Sequence, residues 1–306
     1  MSKPNQYITP PILAQGALVR IVAPAGKISQ NKVYNAINGL YAAGYRVIAG
    51  NHVFDEYHQF AGTDNDRLED LQEAFDDPDC SAILMARGGY GLVRIIDKLD
   101  FAGFINNPKW VVGFSDITLL HSQLHLFGFQ SIHAAMCAAF TPGENSAKSL
   151  ETMLNTLQGK PLSYNFAQHH LNRYGSCQGV LTGGNIAILC SGLGSSSDVD
   201  TANKVLFLED VGEYLYRLDR MMYSLKRAGK LDKIRGLIIG GLTAMKDSET
   251  PFGQDAADIV SHSVAEYDYP VCFGFPAGHQ FDNQALVLGR TVIMASTPEG
   301  STLNFV

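Results

Sequence analysis

Ser115 stands at a point in the sequence where an exposed nucleophile is expected. The tripeptide Phe114-Ser115-Asp116 follows the apolar run 110–113 and precedes the apolar segment 117–120. A buried strand that turns abruptly into a helix holds a serine on a strained corner, with the next residue's N–H aimed at the same point as the hydroxyl. The position also suits a serine that only caps the helix, so the corner alone leaves both interpretations open.

A glycine-rich segment could complete such a site. Residues 86–91, with the sequence ARGGYG, follow a second apolar run over 81–85. If the two runs are neighbouring parallel strands, the backbone N–H groups of Gly88 and Gly89 lie beside Ser115, as an oxyanion hole requires. The alternative is a plain tight turn between a strand and a helix.

A serine nucleophile needs a base, and the base needs an orienting carboxylate. Glu209 ends an apolar strand, where a carboxylate is costly to bury unless another group pairs with it. His279 lies in a loop shaped by proline and glycine, directly after the predicted strand 271–274. The order serine, glutamate, histidine is compatible with a triad, because the same geometry arises in different orders on different folds.

The composition of the 306-residue chain is that of an acidic globular protein. Its 46% hydrophobic and 17% charged residues exclude extensive disorder. The formal net charge of −7, without a run of Lys or Arg, argues against nucleic-acid binding. Residues 1–6 lack the apolar stretch of a signal peptide, and no segment approaches the roughly 18 apolar residues that span a bilayer. We therefore expect a cytoplasmic protein with no nucleic-acid or membrane partner.

The cysteines and histidines do not predict a metal site. The five cysteines are scattered and odd in number, which indicates buried thiols in a reducing compartment. His121 and His125 would share a helix face, but a zincin motif has glutamate after the first histidine, and Ser122 stands there. We predict no bound metal and no cofactor.

Residues 18 to about 135 alternate short β-rich runs with segments of helical periodicity. The predicted strands are 18–22, 46–48, 81–85 and 110–113. Three helices are predicted between them: the first contains Val33 and Leu40 and ends at Gly44, the second spans 64–77, and the third carries Val93, Ile95 and Ile96. This alternation implies βαβ crossovers and a parallel sheet covered on both faces. Ligands of such sheets gather at the carboxyl ends of the strands, where Gly88 and Ser115 lie.

The rest of the chain predicts a second domain of another type. It has a turn at 182–185, a helix carrying Leu215, Leu218, Met222 and Leu225, and strands at 205–209, 235–240, 270–274, 285–288 and 291–295. Closely spaced strands at the C-terminus favour a mixed α+β unit.

The predicted fold class is therefore α/β, with two domains. A parallel-sheet domain of the flavodoxin or class I glutaminase-like type spans 1–140. A linker over 141–174 begins with the loop 141–146 and contains a helix near 147–157. A mixed α+β domain spans 175–306.

The chain resembles the LD-carboxypeptidase family of serine peptidases over nearly its whole length. That family removes the terminal D-alanine from murein tetrapeptides in cell-wall recycling, and its relatives include a microcin immunity peptidase. The blocks that carry the resemblance, in order, are Ala23-Pro24-Ala25, Ala61-Gly62-Thr63, Arg67-Leu68-Glu69-Asp70-Leu71, Arg87-Gly88-Gly89-Tyr90-Gly91, Gly113-Phe114-Ser115-Asp116, Gly183-Gly184-Asn185, Leu208-Glu209-Asp210-Val211-Gly212-Glu213, Tyr216-Arg217-Leu218-Asp219-Arg220 and Gly278-His279.

The resemblance implies a function and a set of site residues. The implied activity is cleavage before the terminal D-alanine, on a small peptide partner and without a cofactor. The implied residues are a triad of Ser115, Glu209 and His279, with an oxyanion hole of backbone N–H groups from Gly88, Gly89 and Asp116. The nucleophile would lie in the first domain and its partners in the second, so catalysis needs the domains docked.

Two further charged residues are candidates near this site. Spacing cannot choose between Glu209 and Glu213 as the orienting carboxylate. The family pattern places it at Glu209, which leaves Glu213 as a supporting residue or as a carboxylate at a helix N-terminus. Arg87 is a candidate anchor for the substrate's terminal carboxylate, which a guanidinium binds through two hydrogen bonds, although pairing with a neighbouring aspartate is equally compatible. The oligomeric state stays open, a homodimer included.

Three other functions are alternatives to a carboxypeptidase. An immunity-type peptidase acting on a peptidyl-nucleotide would favour an aromatic stacking surface, but the single tryptophan, Trp110, begins an apolar strand and is expected in the core. A non-catalytic ligand-binding α/β protein, with Ser115 as a helix cap, would not need all three triad-type residues. A class I glutaminase-like domain would have cysteine at the corner, where this chain has serine.

Overall fold

The computed structural model describes residues 7–143 and 147–306, and these form two β-sheets with eight α-helices in the described part. The predictions for residues 1–6, and for 144–146 within the loop 141–146, lie outside the described residues. The strands are β1 (Leu18–Val22), β2 (Arg46–Ala49), β3 (Cys80–Met85), β4 (Trp110–Gly113), β5 (Ser131–His133), β6 (Ser163–Phe166), β7 (Gly175–Asn185), β8 (Lys204–Val211), β9 (Gly236–Thr243), β10 (Val271–Phe273), β11 (Leu286–Leu288), β12 (Thr291–Thr297) and β13 (Gly300–Phe305). The helices are α1 (Gln30–Ala42), α2 (Asp64–Asp76), α3 (Ala102–Asn106), α4 (Thr118–Leu126), α5 (Ala147–Leu157), α6 (Ile186–Ser191), α7 (Leu215–Arg227) and α8 (Ala256–Ser263).

The first sheet has the strand order β11-β5-β4-β3-β1-β2 and is parallel except for β11. Successive side chains of a strand point to opposite faces, and β3 shows that both faces are covered. Ala82 and Leu84 join the core cluster that contains α1, whereas Ile83 and Met85 join the cluster that contains α2. The predicted parallel sheet with helices on both faces is confirmed, and β3 and β4 are neighbours in it.

The second sheet has the order β10-β9-β8-β7-β12-β13-β6. Its first four strands are parallel and its last three are antiparallel, which confirms the predicted mixed unit. One hydrophobic cluster runs from Ile21 in β1 to Phe207 in β8, so the two sheets share a core. Across the described ranges, no helix is both long and apolar enough to cross a membrane.

Two local predictions differ from the structure. The helix expected through Val93 and Ile96 is instead two short 3-10 turns. The turn expected at 182–185 is the end of β7, where extended backbone with φ of +120° at Gly183 and +141° at Gly184 brings the strand close to its neighbours. A Cβ at Gly183 would lie 2.0 Å from the carbonyl oxygen of Phe207, so the glycine signals a close approach rather than a turn.

The sheet to which a strand belongs also differs in one case. β11, expected in the second domain, pairs antiparallel with β5 at the edge of the first sheet. Conversely, β6 lies within the predicted linker and pairs with β13 in the second sheet. Apolar alternation predicts a strand but not its partner, because the pairing depends on where distant chain segments pack. The domain boundaries themselves stay a prediction.

Candidate active site

Ser115 lies on a strained corner between a strand and a helix. β4 ends at Gly113, and a 3-10 turn from Ser115 to Ile117 leads directly into α4. The backbone of Ser115 has φ of +66°, in the left-handed region that residues with a Cβ rarely adopt. Such strain persists only where the surrounding structure imposes it, and it concentrates at functional sites. The corner therefore has the geometry expected of a nucleophile rather than of a helix cap.

His279 connects the serine to a buried carboxylate. Its Nε2 lies 3.1 Å from Oγ of Ser115, and its Nδ1 lies 2.7 Å from Oε2 of Glu209. Glu209 is fully buried. Because an ionised carboxylate can only accept, Nδ1–H donates to Glu209, and Nε2 is left to accept the proton of the serine hydroxyl. This is the tautomer that a general base requires.

The loop that carries His279 is held at several points. The backbone N–H of His279 donates to the same Oε2 of Glu209 at 3.0 Å, and Thr243 Oγ1 donates to the carbonyl oxygen of His279 at 2.5 Å. Gly278 has φ of +100°, and a Cβ there would lie 2.6 Å from Oε2 of Glu209. Its N–H donates to Asn283 Oδ1 at 2.8 Å. These contacts fix the imidazole between its two partners.

The glycine loop lies against Ser115. A Cβ at Gly88 would lie 2.9 Å from Cβ of Ser115 and 3.3 Å from the backbone nitrogen of Asp116. The carbonyl oxygen of Gly88 accepts a hydrogen bond from Gly26 N–H at 2.9 Å, and Gly89 has φ of +98°. The backbone thus approaches the serine as closely as a residue without a side chain allows. This arrangement could supply N–H groups to an oxyanion.

Arg87 borders a pocket next to the glycine loop. The pocket has a volume of about 380 Å³, and its lining includes the apolar side chains of Ile28, Phe114 and Met136 beside Arg87 and Lys32. Arg87 is exposed, and its Nη1 donates to the carbonyl oxygen of Lys27 at 2.6 Å. Within residues 7–143 and 147–306, no carboxylate forms an ion pair with it, so the aspartate pairing considered as an alternative is not present.

Glu213 lies outside this arrangement. Its carboxylate is 4.0 Å from Nη1 of Arg217, one turn further along the chain in α7. In the described part of the chain no hydrogen bond or ion pair joins its carboxylate to the triad residues, and Glu213 stands before Tyr214, the N-cap of α7, whose first turn holds no acidic residue.

Three of the four ring nitrogens of the two α4 histidines contact protein groups, and the fourth, Nε2 of His125, is buried without a hydrogen-bond partner among the described residues. His121 contacts Ser131 Oγ at 2.8 Å and the carbonyl oxygen of Gly113 at 2.9 Å, and His125 contacts Thr182 Oγ1 at 3.0 Å. In the described part of the chain, the cluster with metal-ligand spacing is His52, Asp55 and Asp66. Asp55 is exposed and the other two are partly buried, and Asp66 already belongs to the capping box of α2. These residues do not converge on Ser115.

Sequence reasoning missed a contact that joins the two sheets at the site. The backbone N–H of Asn185 donates to Thr118 Oγ1 at 3.1 Å, and a Cβ at Gly184 would lie 2.6 Å from the same oxygen. Thr118 begins α4, and Asn185 pairs in register with Glu209 on β8. The helix after the nucleophile therefore rests on the strand beside the buried carboxylate. The signal available in the sequence was an asparagine before the apolar run 186–189, the pattern of a helix N-cap.

Known families and proteins match both halves of the chain. The LD-carboxypeptidase N-terminal domain matches residues 19–134, and the LD-carboxypeptidase C-terminal domain matches residues 178–294. A probable murein peptide carboxypeptidase of Bacillus subtilis is 30% identical, over 93% of this chain and 91% of its own. A murein tetrapeptide carboxypeptidase of Pseudomonas aeruginosa is also 30% identical, over 94% of both chains.

Solved structures show the same architecture. A crystal structure of muramoyltetrapeptide carboxypeptidase from Oxalobacter formigenes superposes with a TM-score of 0.86 and 30% identity, over 94% of this chain and 98% of that one. The microcin C7 self immunity protein MccF superposes with a TM-score of 0.85 over 96% and 97% of the two chains. Its identity of 18% means that this second likeness concerns the fold alone.

Proposed function

The chain belongs to the LD-carboxypeptidase family, and on that basis we propose that it is a serine carboxypeptidase that removes the terminal D-alanine of murein tetrapeptides through Ser115, Glu209 and His279. The observation that carries the proposal is the continuous hydrogen-bonded path from Glu209 through His279 to a serine in a strained backbone conformation. A helix-capping serine would need neither the strain nor the partners.

The proposed reaction is acyl transfer through a covalent intermediate. Ser115 Oγ attacks the carbonyl carbon before the terminal D-residue, while its proton passes to Nε2 of His279. Glu209 stabilises the imidazolium that forms, and backbone N–H groups of the glycine loop and of Asp116 hold the oxyanion. His279 then protonates the leaving amine. Water attacks the acyl-enzyme in a second half-reaction in which His279 again accepts and returns a proton.

The pocket beside Arg87 is the proposed site for the terminal residue. A D-alanine places a methyl group and a carboxylate at one end of the substrate. Phe114 and Met136 offer an apolar surface for the methyl group, and Arg87 offers a cation for the carboxylate. Arg87 supports this role because its guanidinium donates to a backbone carbonyl and holds no competing carboxylate in the described residues.

No observation favours the alternative acting on a peptidyl-nucleotide. Trp110 is 1% exposed, and its indole Nε1–H donates to the carbonyl oxygen of Pro11, so it is a core side chain and not a stacking surface.

For the compartment we propose the cytoplasm, which the free state of all five cysteines supports, because structural disulfides are typical of oxidising compartments.

Mass spectrometry of a murein tetrapeptide incubated with the purified protein tests the proposal. Release of D-alanine and formation of the tripeptide are expected with the wild type and not with Ser115→Ala. An unchanged tetrapeptide, cleavage at another bond, or equal release by the variant would contradict it.

A further inference from the structure

The side chain of Asp116 is turned away from the nucleophile towards the glycine loop, and the residue is 2% exposed. Its Oδ2 accepts a hydrogen bond from the backbone N–H of Leu92 at 2.9 Å, and the nearby backbone N–H of Gly91 acts on the same carboxylate to lower its pKa. Gly91 is the last residue of the ARGGYG segment, and Leu92 directly follows it. Asp116 therefore has its backbone nitrogen next to Ser115 and its carboxylate at the C-terminal end of the glycine loop.

The rest of the loop is held by backbone contacts. Ala86 N–H donates to the carbonyl oxygen of Val22 at 2.8 Å where the loop begins, and Gly26 N–H donates to Gly88 O in its middle. Across the described residues, Asp116 is the one side chain that hydrogen-bonds the backbone of residues 86–92. The carbonyl oxygens of Gly91 and Leu92 accept hydrogen bonds from the 3-10 turn that follows, and the N–H of Leu92 is held by this carboxylate.

We propose that the carboxylate of Asp116 is a positioning residue for the oxyanion hole. By holding Gly91 and Leu92, it sets the distance between the N–H groups of the glycine loop and the oxygen that develops a charge on the substrate. The inference rests on the proposed function, since it assumes that Ser115 attacks a carbonyl. The inference adds a side chain that stabilises the transition state and leaves the affinity for the substrate unchanged.

Small displacements matter here because donors stabilise an oxyanion only when they lie within hydrogen-bond distance of its position in the transition state. An ionised carboxylate accepts both N–H groups, whereas a protonated one carries a donor of its own and accepts less well. Burial raises the pKa of Asp116 to about 6, opposed by the hydrogen bond from Leu92, by the charge of Arg67 on α2 and by the nearby N–H of Gly91. At pH 7.5 the carboxylate is therefore ionised and can hold both donors.

The test is the variant Asp116→Asn at pH 7.5. Its amide keeps the size of the carboxylate but turns an N–H₂ group towards one of the two backbone donors. We expect kcat for the tetrapeptide to fall about 10- to 100-fold with KM within about threefold, as for lost transition-state interactions. A tripeptide aldehyde, which adds Ser115 Oγ to its carbonyl carbon and forms the oxyanion, should lose affinity in proportion to kcat/KM. The tripeptide product should bind as to the wild type.

Asp70→Asn is the matched control. Asp70 is also 2% exposed, packs in the same half of the chain, and accepts a backbone hydrogen bond from His52 at 3.0 Å. Burial raises its pKa as well, and it lies away from the glycine loop. The Asp70→Asn variant should keep the wild-type kcat and the wild-type affinity for the aldehyde. A comparable loss in this control would mean that burying an amide has general structural effects, and the proposal would fail.

Other results separate this inference from the proposed function. If Asp116→Asn keeps wild-type kcat, or weakens the product and the aldehyde equally, the positioning role is wrong while the carboxypeptidase stands. If the wild type releases no D-alanine from the tetrapeptide, the proposed function itself fails.

Hydrogen exchange of the wild type covers the case in which the variant does not fold. In that experiment, the protection of the Gly91 and Leu92 amides, corrected for intrinsic rates, should fall between pH 7 and pH 5. Unchanged protection would overturn the inference.

Discussion

Nε2 of His279 lies 3.1 Å from Oγ of Ser115, although the two residues are 164 positions apart in the chain. Ser115 follows β4 of the first sheet, and His279 follows β10 of the second. Each sheet alone carries only part of the arrangement. The candidate triad therefore forms only when the two sheets pack together, through the shared core and through the contact of Asn185 with Thr118.

Ser115→Ala should leave the fold nearly intact and lower turnover by several orders of magnitude, because removing the nucleophile of a triad leaves only the residual effect of binding and the oxyanion hole. Steady-state kinetics on the tetrapeptide, with circular dichroism to check folding, measure both effects. A variant that kept a tenth of the wild-type rate would contradict the assignment of Ser115.

Glu209→Gln and Glu213→Gln form a matched pair. Glu209 orients His279 and is fully buried, so its amide should reduce kcat by a factor of about 10⁴ by favouring the wrong imidazole tautomer. Glu213 faces Arg217 and should tolerate the change with nearly wild-type kcat. Equal losses in the two variants, or a larger loss in Glu213→Gln, would reverse the assignment.

Activity should survive prolonged dialysis against EDTA. In the proposed mechanism the hydroxyl of Ser115 is activated by His279, so no metal ion is needed to activate it. Turnover is compared before and after dialysis, with zinc added back in a third sample. Activity lost on dialysis and restored by zinc would overturn this expectation.

Amidation of the terminal D-alanine should lower kcat/KM if Arg87 binds the carboxylate. Because Arg87 is exposed, we expect the lost charged hydrogen bonds to cost about 1.5–3 kcal/mol, or about 10- to 150-fold, rather than the larger penalty of a buried pair. Arg87→Ala should remove most of this discrimination. Equal rates on both peptides in the wild type would argue for an endopeptidase or an amidase, and discrimination that persists in Arg87→Ala would assign the anchor elsewhere.

Asp210→Asn should change how stability depends on pH. Burial and, to a lesser extent, the neighbouring charge of Glu209 raise the pKa of Asp210 to about 6 from its usual 3.8. The folded protein therefore binds this proton more tightly than the unfolded chain. Wild-type stability from this group is highest below about pH 4 and falls as pH rises to about 7, by up to about 3 kcal/mol.

The amide of Asp210→Asn does not titrate, so the free energy of unfolding of the variant should rise relative to the wild type over that interval. Urea unfolding of both proteins at pH 4, 5, 6 and 7 measures the difference. A difference that stays constant with pH would show that the carboxyl group is not perturbed in this way.

Local sequence patterns predicted several elements, including the strand that precedes Ser115. The predicted strand 110–113 and helix 147–157 have the bounds observed for β4 and α5, because apolar periodicity reports directly which residues of a segment are buried. The serine corner and the facing glycine loop were found for the same reason, since each follows a strand of one parallel sheet, and such strands end at one edge.

Contacts between distant segments were decided only by the tertiary structure. Residue spacing left Glu209 and Glu213 open, and the family resemblance favoured Glu209, which is the one that contacts His279 in the structure. The position of β11 beside β5 follows from how the chain returns after the His279 loop. The hydrogen bond from Leu92 N–H to the Asp116 carboxylate has no signature in the sequence. Sequence spacing sets which face of its own element a side chain occupies, but the partner on that face depends on the packing of the whole chain.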